Sequence, residues 1–217
     1  MGVNIITSMV SLPNLISFVL ATIKKYDIDE SHGVSHSMDV LFNAYNILES
    51  ELPKNPYLES QRTIILTSAV LHDMCDRKYV VEKEGIENIQ FFLSDKMDDN
   101  EIDIATKIMA TMSYSKVKKV GFPDFGEYQL AYHIVREADL LSAYDFDRCM
   151  IYSINKNNRD INGAFDNAYS LFNERVLRHH QDNLFITEYA KKESIKLHVQ
   201  STNRIDNWKK ILNRPTI

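Results

Sequence analysis

From Thr63 to Cys75 the only charged residue is Asp73, and it stands directly after His72 at the end of an apolar run. Ile65, Leu66, Ala69 and Val70 recur at helical spacing, so the run predicts a buried helix over about 59–74 whose last turn carries His-Asp. An isolated ionised carboxylate in a core costs several kcal/mol, in order of magnitude, unless a cation, a metal or several donors compensate it. Asp76 follows at i+4 from His72 and i+3 from Asp73, so one turn can present all three groups together. Lys78 is two residues further on; the plainer reading of Asp76 and Lys78 is a solvated helix end.

Two more stretches offer groups of the same kind. His36 shares its helix face with Val40, Ala44, Ile47 and Leu48, which makes it either a satisfied core histidine or a ligand aimed inward. His32 lies four residues earlier and shares that face if the helix begins by Ser31, although Gly33 interrupts it. Asp139 has small or apolar helical neighbours, Ala131, Val135, Ser142 and Ala143, and again requires a partner. Arg136 at i−3 would supply an intrahelical ion pair, and a metal would supply the other answer. Glu174 and Arg175 read either as a surface pair or as a group able to reach phosphate. Lys116, Lys118 and Lys119 read as a basic loop, Phe122, Phe125 and Tyr128 as core packing with base stacking as the rival, and His179 and His180 as surface residues.

Helices must position all of these. The 3.6-residue period recurs along nearly the whole chain, and only six Gly and five Pro are present, which argues against many tight β-turns. Predicted helices cover about 14–26, 34–52, 59–74, 82–94, 100–112, 128–154, 164–179 and 185–207, with a loop over 116–126. Pro13 suits the start of the first helix, and Pro53 and Pro56 stop the second. No internal repeat or composition break divides the 217 residues. The expectation is an all-α, single-domain helical bundle over 1–217, with a motif-bearing core at about 30–200 and terminal helices packed on it.

A net charge of −5 and a pI near 5.8 argue against a nucleic-acid coat or a polybasic membrane binder. Two cysteines, Cys75 and Cys149, make no disulfide framework and read as reduced core residues. Ile5, Ile6 and the run from Leu15 to Ile23 have no basic flank and are too short an apolar stretch to span a bilayer, so a cytoplasmic protein is expected.

His36, His72-Asp73 and Asp139, in that order on helical segments, resemble the HD-domain metal-dependent phosphohydrolase superfamily. The local text His32-Gly-Val-Ser-His36, Val70-Leu-His-Asp-Met-Cys-Asp-Arg-Lys78, Met112-Ser-Tyr-Ser115, Arg136-Glu-Ala-Asp-Leu-Leu-Ser-Ala143 and Phe172-Asn-Glu-Arg175 is similar to its YpgQ/YedJ-like branch, which includes nucleoside triphosphate pyrophosphohydrolases. The resemblance runs from about His32 to Lys196. It implies His36, His72, Asp73 and Asp139 as metal ligands, Asp76 with Asp73 in catalysis, and Lys78, His32 and Arg175 as substrate contacts. Two histidines and two carboxylates suit one divalent ion, Mn²⁺, Fe²⁺, Co²⁺ or Ni²⁺ in preference to a structural Zn²⁺, with Mg²⁺ also compatible. Several positions depart from the branch: Gly33 replaces an Asp, Asp39 an Arg, Met112 a His, and Leu140 to Ser142 lack an Arg and an Asp. The missing histidine favours a mononuclear site. The expected activity is hydrolysis of a phosphoester or phosphoanhydride of a small phosphorylated substrate such as a nucleotide, with no nucleic-acid polymer or membrane as partner and a homodimer compatible. Pyrophosphohydrolase, nucleotidase and phosphodiesterase are not separated by these residues. The rival from another class is a non-catalytic binding module that keeps the fold.

Overall fold

The computed structural model describes residues 10–214; Ile5 and Ile6 lie outside them. Ten α-helices and short 3₁₀ turns account for the secondary structure, with no strand among the described residues. The helices are α1 (Leu12–Tyr26), α2 (Val34–Glu51), α3 (Arg62–Leu71), α4 (Glu82–Leu93), α5 (Asp99–Thr111), α6 (Tyr114–Val120), α7 (Gln129–Ser142), α8 (Phe146–Asn157), α9 (Ile161–Glu174) and α10 (Glu188–Ile211). The all-α expectation is met. None of the described helices is long and apolar enough to cross a membrane.

Local chemistry explains the boundaries. Pro13 lies in the first turn of α1, and Asp27 closes that helix in the left-handed conformation at φ 51°. α5 opens with a capping box in which the Asp98 side chain and Glu101 satisfy each other's backbone donors. Asp160 and Thr187 cap α9 and α10 through the amides of Gly163 and Ala190. α3 is apolar nearly all round and buried along most of its length, as a helix surrounded by others must be. It packs on α1, α2, α5 and α7, while α2 lies along α7 and α8 pairs with α9.

Several expectations change; the helix predicted over 164–179, for one, is α9, which ends at Glu174 and is followed by a 3₁₀ turn at Val176–Arg178. The predicted helix over 128–154 is two helices: Asp145 accepts the Arg148 amide at 3.1 Å and starts α8 afresh. An N-cap aspartate inside an apolar pattern, with no Gly or Pro beside it, left no strong break in the period. The predicted 116–126 loop contains α6, which Gly121 ends at φ 78°. Two of its lysines are tied down, Lys116 to Glu82 and the Ala110 carbonyl, and Lys118 to Asp182 at 3.1 Å.

His179, expected at the surface, is fully buried among the rings of Tyr114, Tyr144 and Phe185. Its flanking residues are polar, so no periodicity marked the position. His180 is half-buried, with Nε2 2.8 Å from Ser194 Oγ. Burial, reinforced by the neighbouring Arg175, holds His179 down to about 3; burial with Arg136 holds His133 at about 4. The unfolded chain protonates both near pH 6.5, whereas the folded protein resists. Folding stability is therefore expected to fall as pH drops from 6.5 towards 4, by up to about 1.4 kcal/mol per pH unit for each histidine. Urea titrations across that range check this, with His179→Gln flattening the slope; an unchanged slope would refute the assignment.

Cys75 is buried and Cys149 half-buried, both as free thiols. α4 comes against the turn after α3 at Gly85, where an added Cβ would sit 2.7 Å from the Cys75 Cα. A side chain there would push on the segment that carries His72 and Asp73.

Candidate metal centre

α3 ends at Leu71, and His72–Cys75 form a 3₁₀ turn in place of the expected last helical turn. The tighter winding directs His72 and Asp73 to one side, where α2 contributes His36 and α7 contributes Asp139. His36 Nε2 lies 3.2 Å from His72 Nε2. Asp73 Oδ2 is 3.3 Å from each imidazole nitrogen, and Asp139 Oδ1 is 3.5 Å from His36 and 3.7 Å from His72. The four side chains that sequence singled out as ligands thus meet at one point, from three helical segments.

The donor chemistry of this point fits a cation. His72 Nδ1 faces the Ala69 carbonyl at 2.8 Å and must donate to it, which turns Nε2 to the cluster, where it carries a proton in the absence of a cation and offers a lone pair when one replaces that proton. Asp73 Oδ2 is buried and has no hydrogen-bond donor of good geometry. Two carboxylate oxygens and two imidazole nitrogens this close repel as lone pairs unless positive charge lies among them. The electrostatics agree: burial would push the carboxyls up, yet the histidines hold Asp73 and Asp139 below the usual carboxylate range. Against its own burial, His72 is raised to about 9 by Asp73 and Asp139. His36, His72 and Asp139 form one group able to hold a metal ion, and His32, Asp73 and Asp76 form a second beside it.

The second group belongs to the wall of a cleft of about 300 Å³ that opens over the cluster. Asp76 caps the 3₁₀ turn, its Oδ1 accepting the Lys78 amide at 2.9 Å, with Oδ2 3.4 Å from Lys78 Nζ. Lys78 Nζ also lies 2.9 Å from His32 Nε2. His32 is not on α2: Glu30–His32 form a separate 3₁₀ turn, broken from α2 by Gly33, and the ring is buried. Arg175 lines the cleft from the end of α9 with its guanidinium 4.1 Å over the Tyr114 ring, and its Nε is buried without a partner. Asp73, Asp76, Lys78, Asp139, Tyr114 and Arg175 also face an adjoining recess of about 180 Å³. Met112 borders that recess, so a thioether stands where the resemblance implied a histidine.

Other candidates lie elsewhere. Arg136 does not pair with Asp139; it turns to Glu137 at 3.1 Å and to the Phe122 ring, so the ion-pair alternative for Asp139 is not what the structure contains. Phe122 and Phe125 pack on His133 and Tyr132, away from the cleft. Glu174 is exposed and bonded to Ser170. Arg148 and Tyr152 were missed. They lie four apart on α8 and line the cleft, with the Arg148 Nη1 donating to the Ser31 carbonyl at 2.9 Å. The i, i+4 spacing was a usable signal, but a single helix drawn through 128–154 assigned α8 no start of its own.

The bundle and its His/Asp cluster define an HD-type helical fold with a candidate metal site. Among solved structures it is similar to YpgQ of Bacillus subtilis, with a TM-score of 0.66 at 17% identity over 91% of this chain and 93% of that one. A protein from Lactobacillus plantarum gives a TM-score of 0.67 at 16% identity, over 94% of this chain and 99% of that one. At 16–17% identity what is shared is the fold. No family model and no curated protein matches the sequence.

Proposed function

We propose that this protein is a divalent-metal-dependent phosphohydrolase acting on a phosphoester or phosphoanhydride of a small phosphorylated compound, with a nucleotide as the favoured substrate. The observation that carries the reading is the convergence of His36 Nε2, His72 Nε2, Asp73 Oδ2 and Asp139 Oδ1 where a cleft whose walls hold Lys78, Arg148 and Arg175 meets its adjoining recess. Lys78, Arg148 and Arg175 balance the carboxylates of Asp73, Asp76 and Asp139 in this cleft, so a divalent ion on the four ligands would leave it positive and suited to an anionic ligand. A divalent ion held by the four ligands would lower the pKa of a water and polarise a phosphoryl oxygen.

The chain's own residues supply the remainder. Asp76, with a carboxylate oxygen in one group with those of Asp73 and the His32 ring, is placed to take the proton of the attacking water. Lys78, Arg148 and Arg175 would bind the phosphoryl oxygens and offset charge that builds on them. Tyr114 and Tyr152 present half-buried rings to the same space, which suits a base or a sugar.

Purified protein is expected to retain a transition metal by elemental analysis and to release phosphate or pyrophosphate in a screen of nucleoside mono-, di- and triphosphates and cyclic nucleotides. Chelation should abolish turnover, and Mn²⁺, Co²⁺ or Ni²⁺ should restore it. A protein that binds no divalent ion, or that shows no hydrolysis with any of them, would instead be a binding module on this fold.

A further inference from the structure

Beside the metal-ligand cluster, the residues from Asp29 to Lys78 form a continuous hydrogen-bonded chain whose direction is fixed by chemistry. Lys78 Nζ, an ammonium that can only donate, lies 2.9 Å from His32 Nε2. His32 Nε2 is therefore an acceptor and the ring proton sits on Nδ1. Two oxygens are available to take it, Ser31 Oγ at 2.7 Å and the Tyr79 hydroxyl at 3.1 Å. Both are turned lone pair towards the ring, because both spend their own proton on Asp29: Ser31 Oγ donates to Oδ1 at 2.5 Å and Tyr79 OH to Oδ2 at 2.6 Å. The Ser31 amide adds a third donor to Asp29 Oδ1 at 2.9 Å, which fixes the carboxylate on the turn.

We infer that Asp29 is a positioning residue for the cleft: through Ser31 and Tyr79 it locks His32 as the Nδ1–H tautomer, so that Nε2 holds the Lys78 ammonium over the metal-ligand cluster. Asp76 Oδ2, 3.4 Å away, occupies a second side of that ammonium. The third N–H is left to the cleft side, where the centre of the Tyr152 ring lies 5.4 Å from Nζ and where the proposed function needs it against a phosphoryl oxygen; in that last respect the inference rests on that reading. Contact with an ammonium at 2.9 Å leaves no room for a proton on Nε2, so the ring that faces Lys78 is neutral and accepts. Without the Asp29 end of the chain both hydroxyls are free to turn and donate to Nδ1, and an imidazole carrying its proton on Nε2 would repel Lys78. An Asp→Asn change that keeps shape and reverses hydrogen-bond polarity acts in this way on an imidazole tautomer elsewhere.

The test uses the full chain with ¹⁵N-labelled histidine, the His32 signals being assigned by their loss in His32→Gln. Wild type and Ser31→Ala are expected to show Nδ1–H, the latter because the Tyr79 route survives. Ser31→Ala combined with Asp29→Asn is expected to show Nε2–H, because the carboxamide keeps its oxygen on the backbone amide of residue 31 and donates to Tyr79, whose proton must then turn to His32. Nε2–H in the wild type, or Nδ1–H persisting in the double variant, overturns the inference. Inorganic phosphate is the ligand probe: the double variant should bind it about tenfold more weakly than Ser31→Ala, the size of one lost hydrogen bond to a charged group. A flipped tautomer with unaltered phosphate affinity would uphold the role of Asp29 and count against Lys78 as the phosphate contact.

Discussion

Asp73→Ala is expected to remove metal retention and phosphate release together, with turnover falling by at least about 10²–10³-fold, the range set by losing one well-placed electrostatic group in an active site. Asp73 Oδ2 is equidistant, at 3.3 Å, from the two imidazole nitrogens, so no other carboxylate replaces it by a side-chain rotation. Asp139 already occupies the far side of the pair, and Asp76 is engaged with Lys78. Asp73→Asn distinguishes charge from shape, since the carboxamide fills the same space and brings no negative charge. Elemental analysis and the phosphate-release screen, with thermal unfolding to confirm that each variant is folded, make the measurement. Retained turnover in either variant would refute the site.

The second large effect is on stability and lies away from the cleft. Glu137 and Arg136 are both buried, at 0% and 1% exposure, and pair at 3.1 Å. Glu137 also accepts the Ile186 amide at 2.6 Å, and the Thr187 amide at 3.1 Å and hydroxyl at 2.6 Å, so it ties the chain entering α10 to α7. Arg136 has two further buried nitrogens, Nε and Nη1, without partners, and depends on Glu137 for its compensating charge. Glu137→Ala would strand a buried guanidinium and three donors, a loss of about 3–5 kcal/mol. In a chain of this length, that corresponds to a melting point lower by about 10 °C. Chemical denaturation checks it, and a loss under about 1 kcal/mol would show that the pair is not needed. Because Glu137 does not face the cleft, metal retention by the folded fraction should be unchanged.

The helical class is legible in the sequence, as are the ends of α1, α2, α4 and α5 to within two residues. The resemblance named the four ligands; the residues themselves showed only that His36, Asp73 and Asp139 each interrupt an apolar face at helical spacing and need a partner, because polar groups rarely enter a core unpartnered. Asp76 was legible from its spacing to His72 and Asp73, whereas Lys78 was singled out by the resemblance. Tertiary structure alone decided what those groups meet. Arg136 was a plausible partner for Asp139 by spacing, yet the fold gives it Glu137, because a three-residue separation brings two side chains near each other without choosing the rotamers. His179 carried no apolar pattern around it, and only three rings from distant segments make it a core residue. Arg148 and Tyr152 became part of the cleft once Asp145 restarted the helix and reset which face of α8 looks inward. The chain from Asp29 to Lys78 spans nearly fifty positions. Local sequence records which groups need partners, and packing between segments far apart in the chain selects them.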